Sequence, residues 1–298
     1  MLRGKVTHVM CAGLAAFGLA TSAFAQEGAD MSPNQGALSF SAGADVVTTY
    51  VFRGIEQEDS GFIIQPYLEI GTNIFENEDY SLDLTLGNWN SLHSEETGAT
   101  TGTSPEWWYE ADLYAFLSLS AFEDWTFDVG YVGYFSPADA FADIHEVDLS
   151  VAYDDSKLWE EYAGIDFALN PYFLVAIEFD DRGGSDDTYG EFGVEPAFTL
   201  VESEDYPIDL SIPVTLGLSL DDYYTDSTGD NETFGYVSIG AMFSTELPFI
   251  PAEYGAWSAS AGVTYYYLNE DAMLNDPMTA TDGEDYNVVG SIGVSMDY

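Results

Sequence analysis

The stretch "YNVVGSIGVSMDY" (286–298) decides the fold. Tyr286, Val288, Gly290, Ile292, Val294, Met296 and Tyr298 occupy every second position, and Asn287, Val289, Ser291, Gly293, Ser295 and Asp297 lie between them. Strict alternation is the signature of a strand with one apolar and one polar face. The same period runs back through the chain, and helical periodicity is nearly absent. "IDLSIPVTLGLSL" (208–220) is as regular, and so is "WSASAGVTYYY" (257–267). Further segments fall near 37–53, 61–75, 79–90, 107–121, 123–135, 144–153, 163–180, 189–201, 234–245 and 285–298. That makes about twelve strands, most longer than soluble strands usually are. The connections alternate between short ones (76–78, 122, 202–206, 246–255) and longer polar ones (54–60, 91–106, 136–143, 181–188, 221–233, 269–284). One stretch, "DDSKLWEEYAG" (154–164), fills a place where a short turn is expected. We read it as a helical or extended turn, with 163–180 as one strand carrying Pro171.

The ends of the chain bear on where these strands reside. Arg3 and Lys5 precede a short apolar run, and Ala23-Phe24-Ala25 offers a small-residue cleavage site, as in a secretory signal peptide. The expected division is a signal peptide at 1–25, a short linker at 26–36 and a β-barrel at 37–298. Cys11, the one cysteine, would leave with the signal, so the mature chain has no thiol for a disulfide or a metal. Arg3 and Lys5 leave too, and three basic residues then remain against 53 acidic ones. Such a chain repels nucleic acid and anionic surfaces. With 46% hydrophobic and 15% aromatic residues it is nevertheless built to fold.

Alternation alone fits a soluble β-sandwich as well as a membrane barrel. Charge placement narrows the choice. The apolar faces carry no Asp, Glu, Lys or Arg, as a lipid-facing surface requires. The opposite faces carry Asp45, Arg53, Glu69, Asp83, Glu110, Asp112, Asp128, Glu146, Asp148, Glu178, Glu191, Glu195 and Asp209, the candidate pore-lining residues. Aromatics collect near strand ends on the apolar face: Tyr50, Phe52, Phe62, Tyr80, Trp107, Tyr109, Trp125, Phe127, Tyr153, Phe173, Trp257, Tyr265, Tyr267, Tyr286 and Tyr298. Two girdles at the bilayer interfaces follow from that placement. The expected fold class is therefore all-β: a transmembrane antiparallel up-and-down barrel of about twelve strands. Lipid leaves no tolerance for an open sheet edge, so 37–53 must pair with 285–298. Pro66, Pro196 and Pro213 remove ladder donors, and bulges or rim positions are expected there. Trp89, Trp108, Tyr114, Tyr134, Tyr172 and Tyr266 are read as inward and narrowing the lumen.

The segment "VVTTYVFRGIEQ" (46–57) resembles the opening motif of the TorF-type porins (Gcw_chp family), with Tyr50, Phe52, Arg53, Gly54, Ile55 and Gln57 in the motif's positions. "HEVDLSVAYD" and "LNPYFLVAIEFD" are similar to later strands of that family. The resemblance implies an outer-membrane β-barrel conducting small solutes; the length of 154–164 and the acidity depart from the family pattern. The terminal aromatic Tyr298 likewise resembles the end that the barrel-assembly machinery reads in Gram-negative bacteria.

These readings make a passive, cation-preferring channel the leading expectation, because fixed charge selects the opposite sign. Its partners would be outer-membrane lipid and lipopolysaccharide, the assembly machinery and small cationic or neutral solutes. Salt adaptation is the other reading of the acidity. A cation-binding surface or adhesion barrel is the alternative: loops 221–233 and 269–286 are rich in oxygen ligands suited to loosely held Ca²⁺ or Mg²⁺, although neither has the EF-hand pattern. No resident cofactor is expected. An outer-membrane enzyme is the less favoured class. Only His93 and His145 survive processing; His93 sits beside Ser91, Ser94, Glu95 and Glu96 in what reads as a loop, and no oriented triad is evident. A lone Arg53 among carboxylates is expected to pair bidentately with one of them.

Overall fold

A computed structural model describes residues 37–95, 107–165, 167–179, 187–203, 206–269 and 284–298. The expected signal peptide, the linker, Arg182 and most of 269–286 lie outside these residues. The elements are β1 (Leu38–Val47), β2 (Tyr50–Phe52), β3 (Ile55–Glu58), β4 (Ile63–Glu76), β5 (Tyr80–His93), β6 (Trp108–Ala121), β7 (Trp125–Phe135), β8 (Ile144–Tyr153), α1 (Ser156–Ala163), β9 (Tyr172–Phe179), β10 (Thr188–Val194), β11 (Ala197–Val201), β12 (Ile208–Ser211), β13 (Val214–Asp221), β14 (Phe234–Glu246), β15 (Ala256–Leu268) and β16 (Tyr286–Asp297).

Each wall strand pairs antiparallel with its sequence neighbour, and β1 pairs with β16, so the sheet closes. The seam runs from Ser41 opposite Asp297 to Val47 opposite Ser291. Tyr298 extends it by exchanging two backbone hydrogen bonds with Phe40, each 2.8 Å. β10 and β11 form one wall strand broken at Pro196, and β12 and β13 another broken at Pro213. Counted so, the barrel has twelve strands. The prolines act differently from the expectation. Register is the same on both sides of Pro196 and Pro213, so the ladder lapses there without a bulge. At Pro66 the pairing to β5 likewise skips two residues and resumes in phase.

Away from the rims, the outward positions of the wall carry no Asp, Glu, Lys or Arg among the described residues. Leu68, Leu86, Leu113, Leu149, Ile239, Val263 and Ile292 stand exposed around its waist. Left in water, this continuous apolar belt would be an aggregation surface; in lipid it is the required one. Phe40, Tyr80, Trp125, Phe173 and Tyr298 ring the end at which β1 begins and β16 ends. Phe62, Trp107, Tyr131, Tyr267 and Tyr286 ring the other. The molecule is thus a transmembrane barrel; the end of Phe62 and Trp107 is the upper end, and the connection 154–171, with α1, lies at the lower one.

Four readings need correction. The first strand stops at Val47 and does not reach residue 53; Tyr50 and Phe52 leave the wall altogether. A bulge between Trp108 and Glu110 puts two β6 residues against one of β5. It turns Tyr109 inward and buries it, while Trp108 pairs with the outward Leu92 and stacks on Trp107. The inward Trp108 and the outward Tyr109 are therefore reversed. Strand β5 extends to His93, which removes that residue from the loop. Finally, the described residues of 163–171 form no strand. Gly164 in the left-handed region (φ 66°) ends α1, and Asp155 Oδ1 accepts the N–H groups of Leu169 (2.7 Å) and Asn170 (2.9 Å). Pro171, which has no N–H, then precedes β9.

Candidate functional site

The segment that leaves the wall enters the barrel. β2 and β3 form a hairpin whose two-residue turn, Arg53-Gly54, has positive φ at both positions (49° and 80°). That is the primed turn that tight hairpins favour, with glycine in its ordinary role and arginine in an unusual one. Tyr50, Val51, Arg53, Glu56 and Glu58 are buried. The contacts show where. Tyr50 Oη donates to Glu110 on β6 (2.8 Å), and Tyr109 Oη on β6 donates to Gln57 (2.6 Å). Asn287 on β16 donates to Glu56. Phe52 packs edge-on against Tyr134 of β7 at 5.6 Å. A hairpin that touches β6, β7, β8, β10 and β16 at once lies across the lumen.

Arg53 is its anchor. Nη1 and Nη2 donate to the two carboxylate oxygens of Glu146 at 2.7 and 2.8 Å, the expected bidentate fork. Glu178 stands 3.6 Å away. The guanidinium lies over the Tyr189 ring at 4.3 Å and near those of Phe52 (4.9 Å) and Tyr223 (5.4 Å). From the upper loop 222–233, Tyr224 Oη closes the arrangement with a hydrogen bond to the Arg53 carbonyl (2.8 Å). Arg53 and Glu146 are 4% and 0% exposed. Breaking a pair so buried is expensive, because the survivor has no water to turn to.

The other candidate pore-lining residues do face the interior, but they are not one ring. Glu110, Asp112, Glu146, Asp148, Glu178 and Glu191 gather on β6, β8, β9 and β10 around the hairpin. Glu191 accepts from Tyr172 (2.6 Å), Tyr236 (3.2 Å) and Tyr189. Glu69 accepts from Tyr114 at 2.7 Å. Asp128 binds Ser150 (2.8 Å), and Asp83 binds Asn73 and Ser81 (both 2.9 Å), nearer the lower end. Asp45 sits against Gly293 of the seam, Glu195 at the Pro196 break, and Asp209 accepts from Thr199 (2.8 Å) on the lower wall.

Sequence reading missed the hairpin's own acids Glu56 and Glu58, the Tyr223–Tyr224 pair, and the packing of inward rings over glycines, although Tyr114 and Tyr172 among those rings were read as inward. Tyr67 lies over Gly43, Tyr114 over Gly87, Phe116 over Gly130, Tyr172 over Gly193 and Tyr236 over Gly217. In each case ring and glycine are direct cross-strand partners. A signal was present: these glycines occupy inward positions of strands, where a missing side chain marks a close approach. His93 was misplaced. It is buried, stacked on Tyr109 (centroids 4.8 Å apart) and 2.8 Å from Ser91 Oγ. The Ser91–His93 contact is shielded beneath the hairpin, with Ser91 0% and His93 2% exposed. His145 faces outward and binds Tyr131 Oη at 2.7 Å, an interfacial role.

Among the described residues no group of three or more His, Cys, Asp or Glu side chains stands in metal-holding geometry. In loop 222–233 Asp226 is engaged locally: it accepts the Thr228 N–H (2.8 Å) and hydroxyl (2.7 Å) and the Asp230 N–H (3.0 Å). Those bonds, the Thr228 hydroxyl first, hold its carboxyl below the usual range. Outside the wall, Lys157 of α1 binds Asp124 (2.5 Å) and Glu123 (3.2 Å) across the lower rim.

No protein-family model matches the chain, and no curated protein matches it. The resemblance to the TorF-type porins thus rests on the residues quoted above. Several solved structures have similar folds. The β domain of the Bordetella autotransporter BrkA is 10% identical, with 88% of this chain and 99% of that one covered and a TM-score of 0.45. The outer membrane channel from Pseudomonas putida F1 is 10% identical, with 92% and 100% covered and a TM-score of 0.44. The NanC porin is 12% identical, with 87% and 99% covered and a TM-score of 0.37. These are likenesses of barrel architecture only. What the chain is follows from its own wall: a twelve-stranded transmembrane antiparallel β-barrel with a hairpin folded into its lumen.

Proposed function

We propose that the protein is an outer-membrane, porin-like channel for passive diffusion of small solutes, preferring cations, and that the structure captures it with the hairpin across the lumen. The observation that carries this reading is the lopsided interior. Among the described residues, the inward carboxylates from Asp45 to Asp209, joined by Glu56 and Glu58 of the hairpin, face a single inward guanidinium, Arg53. A fixed field of that sign concentrates cations and excludes anions. The hairpin supports the channel reading in a second way. It is held to the wall by side-chain bonds rather than by sheet pairing, so it can move without opening the barrel. A location in the Gram-negative outer membrane fits the apolar belt. The closing strand β16 would be read there by the assembly machinery, with lipopolysaccharide as the neighbour of the acidic upper loops.

The test is electrical. The mature protein is inserted in planar bilayers under a salt gradient, and the reversal potential is measured. A cation-selective potential is expected, weakening as salt screens the lumen charge. An anion-selective potential refutes the proposal.

A further inference from the structure

The place where Arg53 sits has the chemistry of a receptor, and Arg53 is its tethered occupant. The wall supplies a carboxylate fork (Glu146), a second carboxylate at 3.6 Å (Glu178) and an aromatic face (Tyr189) at 4.3 Å. Tyr223 adds a further ring from the upper loop. A planar fork facing a carboxylate, with a ring beneath the plane, selects guanidinium over a compact ammonium or a metal ion. Two details show that the tethered group fills the site incompletely. Arg53 Nε, buried, has no hydrogen-bond partner. Asp148, two residues along β8 from Glu146 and 1% exposed, receives no donor from the hairpin on either oxygen, and its carboxyl lies against that of Glu146. Two neighbouring carboxyls, Glu146 and Asp148, thus stand at the one fork that Arg53 offers.

We propose that Glu146, Asp148, Glu178, Tyr189 and Tyr223 form a binding site for guanidinium-bearing solutes, which Arg53 occupies as a displaceable internal ligand. This deepens the channel reading and rests on it for its consequence: guanidinium compounds would be the solute class that competes the hairpin away and enters. Arg53 also holds a backbone conformation (φ 49°) that side chains seldom adopt. The hairpin is thus bent to deliver its guanidinium, and it leaves a strained turn when the bond is given up.

The test separates site from channel. Arg53→Ala barrel, folded in detergent micelles, is titrated with guanidinium chloride at low, non-denaturing concentration, against sodium and tetramethylammonium chloride at equal ionic strength. Thermal unfolding is followed by near-ultraviolet circular dichroism. A saturable rise in the melting midpoint is expected with guanidinium. Its half-saturation should lie at least about tenfold below that of tetramethylammonium, the margin that one charge-assisted fork supplies. The rise should vanish in Arg53→Ala/Glu146→Gln and be absent from the wild type at the same concentrations. No rise, or the same response to all three cations, overturns the proposal. Should Arg53→Ala not fold, Arg53→Lys serves, since an ammonium cannot fill the fork and the same saturable rise is required of it. Bilayer currents test the consequence. If the barrel conducts nothing yet guanidinium stabilises Arg53→Ala, the channel reading falls and the site stands. If it conducts but the stabilisation is missing, the site falls and the channel stands.

Discussion

Glu146→Gln is the sharpest perturbation of the hairpin. Glutamine keeps the shape of glutamate and one acceptor oxygen, so the wall is not disturbed. What is lost is the charge opposite Arg53 and one arm of a fork whose two bonds measure 2.7 and 2.8 Å. Removing one partner of a buried ion pair costs about 3–5 kcal/mol. Glu178, at 3.6 Å and 20% exposed, recovers part of that, as does the Tyr189 ring. We therefore take about 3 kcal/mol, which is roughly a 140-fold shift in the equilibrium between the docked and released hairpin. The comparison variant is Glu178→Gln. Its carboxylate is longer and wetter, so the expected cost is about 1 kcal/mol or less. Amide hydrogen exchange read by mass spectrometry is the assay. Exchange of peptides spanning 50–58 should accelerate by about two orders of magnitude in Glu146→Gln and by under tenfold in Glu178→Gln. Peptides from β15 and β16, which do not depend on the latch, should be unchanged. Equal acceleration throughout the barrel would mean that the pair holds the wall and not the hairpin. No acceleration in 50–58 would mean that Tyr50, Gln57 and Glu56 hold it without Arg53. Either result refutes the reasoning.

Three further outcomes are expected. Gly87→Val and Gly217→Val each place atoms where the rings of Tyr114 and Tyr236 lie, within 2.1 and 2.2 Å of a Cβ, so both should lose the heat-modifiable folded band on a gel. Gly164→Val, with nothing within 4 Å of its Cβ, should suffer only the backbone penalty of its positive φ and keep the band. Leu113→Arg, on the belt, should lower folding stability in lipid vesicles by about 2–4 kcal/mol, as a midplane charge does, whereas Ser118→Arg, inward on the same strand, should cost markedly less by urea titration. Tyr224→Phe removes the bond to the Arg53 carbonyl and should raise exchange in 50–58 by roughly fivefold to tenfold, the value of one buried hydrogen bond.

The barrel was legible because its cause is repetitive. Each wall strand states its two faces in its own residues, and the bilayer demands closure whatever the details. The division into short lower and long upper connections fails at 154–171, the lower connection that carries α1. What was not legible depended on single residues that break the repeat. Nothing in "VVTTYVFRGIEQ" distinguishes a strand that continues from one that folds back at Thr48 and Thr49, since Val51, Phe52 and Arg53 keep the alternation going. The cue was Arg53-Gly54, a turn pair read only as the end of a long strand. The Tyr109 bulge inverted two aromatics because period two has no memory across an inserted residue. Arg53's bidentate bond was foreseen as chemistry, but its partner, Glu146, lies 93 residues away and was reachable only through the fold. The acids could be read onto one face of the strands; their gathering around a hairpin could not.

The interior also shows how a chain with so few cations can bury so many carboxylates. A buried carboxylate needs donors, and the usual ones, Arg and Lys, number 5 in the whole sequence. Tyrosine takes their place: Tyr50 serves Glu110, Tyr114 serves Glu69, Tyr134 joins Arg53 on Glu146, and Tyr172, Tyr189 and Tyr236 converge on Glu191. A phenol donates one hydrogen bond and brings no charge. It satisfies the oxygen while leaving the site's negative potential in place, which an arginine would cancel. It also reaches far from the wall, so its ring must lie down somewhere, and the facing glycines provide the space. The many tyrosines, the inward glycines and the scarcity of basic residues are thus one design. A lumen lined this way is packed and hydrogen-bonded yet remains negative, and Arg53, the guanidinium among the described residues that neutralises it directly, is carried on a hairpin that is not part of the wall.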